Sequence, residues 1–345
     1  MASTRLRHSS DRIPGITRKK SGRGWAYFLP SGERITDRDE IDRLNAIALP
    51  PAYTDAWFCP YPNGHILATG VDARGRKQYR YHPDFRAQQE ADKFERCADF
   101  GRALPRLRAR VGRDLDGRKL ARDTVVAAVV RLLDLGHIRV GSEAYARSNK
   151  SFGATTLRNR HARIEGPRLR LEYVGKSGKK QRLTIEDRRL ARIVRRTQDL
   201  PGQHLFEYLD EDGAPHPVTS EDVNDYIREA TGTDFTAKHF RTWGASLIAF
   251  EHILDSARDG KIALKPMLEA VASALGNTPA ISRKSYIHPA LIALCRGGDA
   301  GALCALRLPR GTHYLTSRER ALIGFLDEIA AAQHSHANPA HAKAA

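Results

Sequence analysis

Short runs of apolar and aromatic residues, separated by turn signals, occupy the first quarter of the chain and predict a small β-rich module; only the run at 78–81 alternates with polar residues. The runs cover residues 25–29, 56–59, 65–70 and 78–81, and a turn rich in proline and glycine at 60–64 separates two of them. A short helix is expected at 37–46, because Thr36 or Asp37 can cap its N-terminus.

After Pro83 the apolar residues take a helical period. A helix is predicted from 123 or 124, with Gly136 as the C′ glycine that ends it. Between 155 and 186 the period falls to two, and 175–178 reads as a hairpin loop. Further helices are predicted after 187, from Thr219 to Gly232, after Thr236, from 265 to Gly276, and after Thr316, which has capping-box spacing to Glu319.

These patterns predict an α+β protein with a small N-terminal β-rich domain and a larger, mainly helical domain. We expect the first domain at 15–85 and the second at 86–332. A basic tail at 1–14 and an Ala/His/Pro-rich tail at 333–345 are expected to be disordered.

The charge of the chain points to its partner. It has 345 residues, with 57 Lys+Arg against 40 Asp+Glu, a net charge of +17 and a pI of about 10.0. Such an excess indicates a polyanion such as nucleic acid, although a solvated basic surface on a ribosome-associated protein would also explain it. No apolar run approaches the roughly 18 residues of a membrane span. The first residues lack the apolar segment of a signal peptide.

Metal and disulfide chemistry are not expected. Cys59, Cys97, Cys295 and Cys304 lie far apart without a Cys-x-x-Cys pair, which favours free thiols in a reducing cytoplasm. Residues 114–117 lack the further ligands of a calcium loop, and the histidines at 334, 336 and 341 lie in a low-complexity tail. We therefore expect no metal and no cofactor.

The candidate chemistry lies in the sequence LGNTPAISRKSY at 275–286, where Tyr286 follows Asn277 by nine residues and two cations by two or three. A tyrosine hydroxyl has a pKa of about 10, so it needs help to attack a phosphodiester at neutral pH. Arginine pairs bidentately with phosphate, and a lysine can protonate a leaving oxygen. Such cations follow a helix end at Arg139, lie in a hairpin loop at Lys176, and lie on a helix at Arg241.

In their order and local contexts, Arg139, Lys176, Arg241 and Tyr286 resemble the active-site set of type IB DNA topoisomerases, most closely the poxvirus-like and bacterial branch. The resemblance covers about residues 15–330 and includes GATTLRNRH at 153–161, LPPAY at 49–53 and QYRY at 78–81. It implies the fold shared by tyrosine recombinases and type IB topoisomerases, in which the larger, mainly helical domain contains a three-stranded sheet. It also implies relaxation of positive and negative supercoils without ATP or metal.

The resemblance also implies a role for each residue. Tyr286 would form a 3′-phosphotyrosyl bond, Arg139 and Arg241 would hold the nonbridging oxygens, and Lys176 would protonate the leaving 5′-oxygen. Asn277 occupies a position where the poxvirus and nuclear enzymes have histidine and bacterial relatives have asparagine. An asparagine can donate a hydrogen bond to an oxyanion, but it cannot transfer a proton.

Each of these residues also has a purely structural interpretation. Arg139 could stabilise a helix dipole, Lys176 could be a solvated lysine beside Lys179 and Lys180, and Tyr286 could be a packed aromatic. The Gly-Lys-Ser at 175–177 is not a P-loop, because position 170 is arginine rather than the required glycine.

By the same resemblance, residues of the β-rich domain contact duplex DNA, and Lys238 touches a phosphate or the minor-groove edge. The β-domain residues are Gln78, Tyr79 and Tyr81, which could otherwise be ordinary strand residues. We expect a monomer that closes as a clamp around duplex DNA, in the cytoplasm and associated with the nucleoid. The alternatives are a tyrosine recombinase, whose N-terminal domain is usually helical, and a non-catalytic basic DNA-binding protein.

Overall fold

The protein is described here from a computed structural model that places residues 5–258, 262–297 and 307–337. It divides into two compact units, residues 1–92 and 93–345. The α+β class predicted from the sequence is confirmed. In the described ranges, no helix is both long and apolar enough to cross a membrane.

The first unit is built on a five-stranded antiparallel sheet with the strand order β2-β1-β3-β4-β5. The strands are β1 (Ile16–Ser21), β2 (Gly24–Phe28), β3 (Thr54–Phe58), β4 (Ile66–Val71) and β5 (Lys77–Tyr81). The predicted short helix is α1 (Arg38–Ala46), and Asp37 caps it by accepting from the amides of Asp39 and Glu40. Buried Ile16, Tyr27, Leu44 and Phe58 form the core beneath the sheet.

Residues 5–14, part of the tail predicted to be disordered, include a segment that contacts the loop around His65. Arg7 forms a bridge to Gly64, and the amide of Ser9 donates to Nδ1 of His65 over 2.9 Å. The ring of His8 stacks on His65 at 4.2 Å. Residue-by-residue polarity missed this segment because its order comes from pairing with a loop more than 50 residues away.

The second unit is mainly helical. Its helices are α3 (Cys97–Leu115), α4 (Arg122–Gly136), α5 (Glu143–Asn149), α6 (Arg188–Gln198), α7 (Ser220–Thr231), α8 (Ala237–Arg258), α9 (Leu264–Leu275), α10 (Pro279–Ser285), α11 (Pro289–Gly297) and α12 (Ser317–Ala337). Helix α2 (Pro83–Glu95) contains both the predicted domain boundary at 85/86 and the observed division at 92/93. The predicted domain boundary rests on the change from strand to helix periodicity. It therefore lies near the start of α2, seven residues before the division between the two units.

The predicted three-stranded sheet is present as β6 (Ala162–Glu165), β7 (Arg168–Val174) and β8 (Lys180–Glu186), in that order and antiparallel. Leu169, Leu171 and Tyr173 are buried on one face of β7, as their alternation predicted. A small hairpin of β9 (Glu207–Leu209) and β10 (Pro215–Pro217) completes the strands of this unit. Beneath them, α4 is buried along most of its length.

Several predicted helix ends are confirmed. Thr219 and Gly232 cap α7, and Gly276 caps α9 in the left-handed conformation. Thr316 and Glu319 form the predicted capping box of α12. Helix α4 differs, because its left-handed residue is His137 at φ 49° and Gly136 is the last helical residue.

Helix α12 continues to Ala337 and so includes residues 333–337 of the predicted C-terminal tail. Alanine is a strong helix former, so the low complexity of this stretch did not prevent helix formation. Residues 338–345, like Cys304, lie outside the described residues. Cys59 and Cys97 are buried free thiols, and Cys295 is a half-buried one.

A buried ionic cluster ties α12 to α3 and α4. Arg108 donates to Asp134 at 2.8 and 2.9 Å and to Glu319 at 2.8 and 3.0 Å. Both carboxylates are more than 90% buried. The charges are thus paired and hydrogen-bonded, the condition under which a protein interior tolerates them.

Candidate active site

Arg139 and Asn277 meet although 138 positions separate them. Arg139 lies in the loop that leaves α4, and Asn277 follows the glycine that ends α9. Nη2 of Arg139 donates to Oδ1 of Asn277 over 2.7 Å. The segment at 153–155 holds the arginine loop in place, because the Ala154 amide donates to the carbonyl of Arg139 over 2.8 Å.

Arg241, on the buried side of α8, joins the same two segments. Its guanidinium donates through Nη1 to the carbonyl of His137 and through Nη2 to the carbonyl of Leu275, the latter over 3.2 Å. The side chain is 4% exposed. Burial and the nearby charge of Arg139 lower the pKa of Arg241.

Tyr286 lies at the C-terminal end of α10, with its ring centroid 4.8 Å from the guanidinium carbon of Arg241. Burial alone would raise the pKa of the Tyr286 phenol. The charge of Arg241 outweighs that effect, together with the charges of Arg139 and Lys176, and the pKa is lowered. The surroundings therefore favour the phenolate, which is the nucleophilic form.

Two buried donors at this site have no hydrogen-bond partner in the described part of the chain. They are Nδ2 of Asn277 and Nε of Arg241. A buried donor without a partner costs free energy, so such groups in a native structure call for a ligand or another explanation. Two unpaired N–H groups beside an activated phenol are suited to a bound anion.

Lys176 is in the loop between β7 and β8, as predicted. The loop is closed by a hydrogen bond from the Gly175 amide to the Lys179 carbonyl over 2.8 Å, and Ser177 takes the left-handed conformation. Lys176 is exposed, unlike the buried Arg241, but its positive charge also contributes to lowering the pKa of Tyr286. Four of the five predicted catalytic residues are joined by contacts, Arg139 to Asn277 and Arg241 to Tyr286, and the charge of the fifth, Lys176, reaches Tyr286.

The other predicted DNA contacts form two separate groups. Gln78, Tyr79 and Tyr81 lie on β5 of the first unit, where the two tyrosine rings stack at 5.9 Å and Tyr79 is 40% exposed. The side-chain nitrogen of Gln78 donates to Asp72 over 3.1 Å. Lys238 is exposed on the first turn of α8 in the second unit.

Sequence reasoning missed the groups that hold Arg241. Its acceptors are backbone carbonyls, which no side-chain pattern reveals. One signal was available in Gly244, an isolated glycine within α8. A Cβ at Gly244 would lie 2.4 Å from Nδ1 of His137, so glycine is needed for the loop bearing His137 to approach α8.

The geometry agrees with the comparison to protein-family models. The catalytic core of eukaryotic DNA topoisomerase I matches residues 82–293, and the N-terminal domain of bacterial DNA topoisomerase IB matches residues 24–72. The chain belongs to the type IB DNA topoisomerase family. The matched core contains Arg139, Lys176, Arg241, Asn277 and Tyr286, whereas β5 lies between the two matched ranges.

Individual relatives agree with this family. A DNA topoisomerase 1B of Acanthamoeba polyphaga mimivirus is 35% identical over 288 residues, which cover 80% of this chain and 85% of the viral protein. The vaccinia virus (strain Copenhagen) DNA topoisomerase 1B is 19% identical over 240 residues, 67% of this chain and 73% of the relative. Among solved structures, the XerH site-specific recombinase bound to difH covers 53% of this chain and 48% of its own, with a TM-score of 0.35 and 15% identity.

This type IB topoisomerase is therefore an isomerase that acts on DNA. In the described residues no cluster of three or more histidine, cysteine or acidic side chains could hold a metal ion. The charges that face Tyr286 are those of arginine and lysine side chains.

Proposed function

We propose that this topoisomerase cleaves one DNA strand through Tyr286 and relaxes positive and negative supercoils while the strand is held as a 3′-phosphotyrosyl ester. The observation that carries the proposal is the pair of buried, unpartnered donors on Asn277 and Arg241 beside a phenol whose pKa is lowered. A phosphate seated on those donors would lie next to the Tyr286 ring.

In the forward step the phenolic oxygen of Tyr286 forms a bond to phosphorus, and the bond from phosphorus to the 5′-oxygen breaks. The phenolic proton passes to solvent, and the leaving 5′-oxygen takes a proton from the ammonium of Lys176. Religation reverses each transfer. One phosphoester replaces another in both directions, so the cycle requires no ATP.

Arg139 and Arg241 hold the nonbridging oxygens of the scissile phosphate in this proposal. Their roles differ in detail, because Arg241 is fixed by two carbonyls and buried, whereas Arg139 is half-buried and held by Asn277. Pre-oriented cations stabilise the developing charge without reorganising during the reaction.

Asn277 supplies an uncharged oxyanion donor. Its Oδ1 accepts from Arg139, which turns Nδ2 away from that arginine and leaves both of its N–H bonds for the phosphate. Histidine in the same place could donate as well, which explains why relatives with either residue can share one mechanism.

The remaining features are extensions of the same proposal. The exposed cation Lys238 and the β5 residues Gln78, Tyr79 and Tyr81 would contact duplex DNA. The protein would act as a monomer that closes around the duplex, on nucleoid DNA in a cytoplasm.

The test is relaxation of a supercoiled plasmid without Mg²⁺ or ATP, at a low molar ratio of protein to DNA. Wild type should relax plasmids of either supercoil sign, and Tyr286→Phe should bind DNA but leave it supercoiled. Relaxation by the phenylalanine variant would refute the proposed nucleophile. A requirement for a paired recognition site would favour a recombinase, and binding without any strand cleavage would favour a non-catalytic protein.

A further inference from the structure

The side chain of Gln181 lies where two catalytic segments approach each other. A Cβ at Gly276 would lie 2.0 Å from Oε1 and 2.6 Å from Nε2 of Gln181, so the amide rests directly on that glycine. A Cβ at Gly175 would lie 3.0 Å from Cγ of the same glutamine. Gly175 precedes Lys176, and Gly276 precedes Asn277. The side chain of Gln181 therefore contacts the residues that come directly before these two proposed catalytic residues.

Gln181 breaks the pattern of the strand that carries it. Leu183 and Ile185 point to the same face of β8 and pack into the apolar core. At position 181 that face has an amide, although the alternation calls for another apolar residue. The side chain of Gln181 instead fills the space beside Gly175 and Gly276.

The loop that bears Lys176 is closed by backbone hydrogen bonds but lies at the surface of the protein. The loop at 176–180 is exposed, whereas Gly175 at its base is buried. On the other side of the contact, Gly276 ends α9 at φ 63°, and the next amide, of Asn277, donates to the carbonyl of Ala272 over 2.9 Å, which ties this segment to the helix. Gln181 therefore bridges an exposed loop and a fixed helix end.

We propose that Gln181 is a positioning residue that fixes the Lys176 loop against the end of α9, so that the lysine is held at the leaving oxygen. The inference rests on the proposed role of Lys176 as the proton donor. Gln181 acts by filling the space above Gly276 and has no chemical role of its own in the reaction. A misplacement of about 1 Å can slow a positioned reaction by roughly 100-fold.

The experiment measures single-turnover strand cleavage on two duplexes that differ in one atom at the scissile phosphate, the bridging 5′-oxygen or a 5′-sulfur. A thiol has a pKa of about 8.5, so a thiolate leaves without a proton donor. A defect that acts through Lys176 should thus disappear with sulfur. A defect in holding the nonbridging oxygens should persist.

For Gln181→Ala we expect cleavage of the oxygen duplex to slow by about 10- to 100-fold and cleavage of the sulfur duplex to stay within about 3-fold of wild type. Gln181→Met refills the space without an amide and should stay within about 3-fold on both duplexes. Thr184→Ala, an exposed neighbour on β8, is the matched control and should behave as wild type.

An alanine variant with the wild-type rate on oxygen, or one equally slow on both duplexes, would overturn the inference. A methionine variant as slow as alanine would overturn its steric basis. Lys176→Ala, measured in parallel, tests the proposed function separately. If sulfur fails to restore Lys176→Ala, the proton-donor role itself is wrong and the inference about Gln181 falls with it.

Discussion

Asn277 offers a sharp prediction, because two explanations of this residue rank its variants in opposite orders. If Asn277 served to hold Arg139, then Asn277→Asp would keep or improve the contact seen at 2.7 Å, whereas Asn277→Ala would lose it. If Asn277 is an oxyanion donor, aspartate is the worse replacement. It has no N–H for the phosphate and places a second negative charge beside it.

The size of each effect follows from the contacts. Losing a hydrogen bond to a charged group costs about 1.5–3 kcal/mol, which slows cleavage by Asn277→Ala about 10- to 150-fold. For Asn277→Asp, two like charges about 4 Å apart at an effective dielectric of about 20 add roughly 4 kcal/mol. The aspartate variant should therefore be slower than alanine by a further factor of about 1,000. Asn277→His should keep substantial activity, because one ring nitrogen can accept from Arg139 while the other donates.

The assay is single-turnover formation of the covalent protein–DNA adduct on a duplex whose cleaved fragment dissociates, resolved on a denaturing gel. DNA binding by each variant is measured separately, so that a binding defect is not counted as a chemical one. The expected order of rates is wild type, histidine, alanine, aspartate. An aspartate variant faster than alanine would refute the oxyanion-donor role, and an alanine variant with the wild-type rate would remove Asn277 from the site.

Two further predictions concern stability. Arg108→Ala leaves two buried carboxylates without their cation and should lower the free energy of unfolding in urea by about 3–5 kcal/mol. The control Arg102→Ala breaks exposed ion pairs and should change it by about 0–1 kcal/mol. Equal losses in the two variants would contradict the role of the buried cluster. Burial lowers the pKa of His239 to about 4. The part of the unfolding free energy that depends on a neutral His239 is therefore fully present above about pH 6.5. It is lost as the pH falls towards 4, and the loss is about 3 kcal/mol. The asparagine of His239→Asn can still accept the hydrogen bond from the Thr236 amide that Nδ1 of the ring accepts over 2.9 Å. This variant should flatten the pH dependence of stability. An unchanged slope would show that other groups cause it.

Local signals predicted much of the fold. The alternation of β7, the caps of α7 and α9 and the loop bearing Lys176 were predicted from residues within a few positions of each other. Pairing across long separations was not. β1 lies between β2 and β3 in the sheet. Its residues form a strand because they pair with these two neighbours, and a local sequence pattern does not identify such partners.

The candidate site shows the same division. Family resemblance singled out Tyr286 and its four companions, because their order along the chain matches that of related enzymes. The positions of the carbonyls that fix Arg241 and of the amide on Gly276 depend on how helices and strands pack. Gly136 is needed for packing, since a Cβ there would lie 2.7 Å from Cδ2 of Leu183, and the left-handed residue that ends α4 is His137.

The central claim is that Tyr286 becomes joined to the 3′ end of the broken strand, and mapping the covalent adduct tests it most directly. Cleavage is trapped with a duplex labelled at either the 5′ or the 3′ end of the scissile strand, and the protein is then digested to identify the peptide that carries DNA. The account predicts that only the 5′-end label stays with the protein, on the peptide containing Tyr286. Retention of the 3′-end label, or attachment through any other residue, would contradict it.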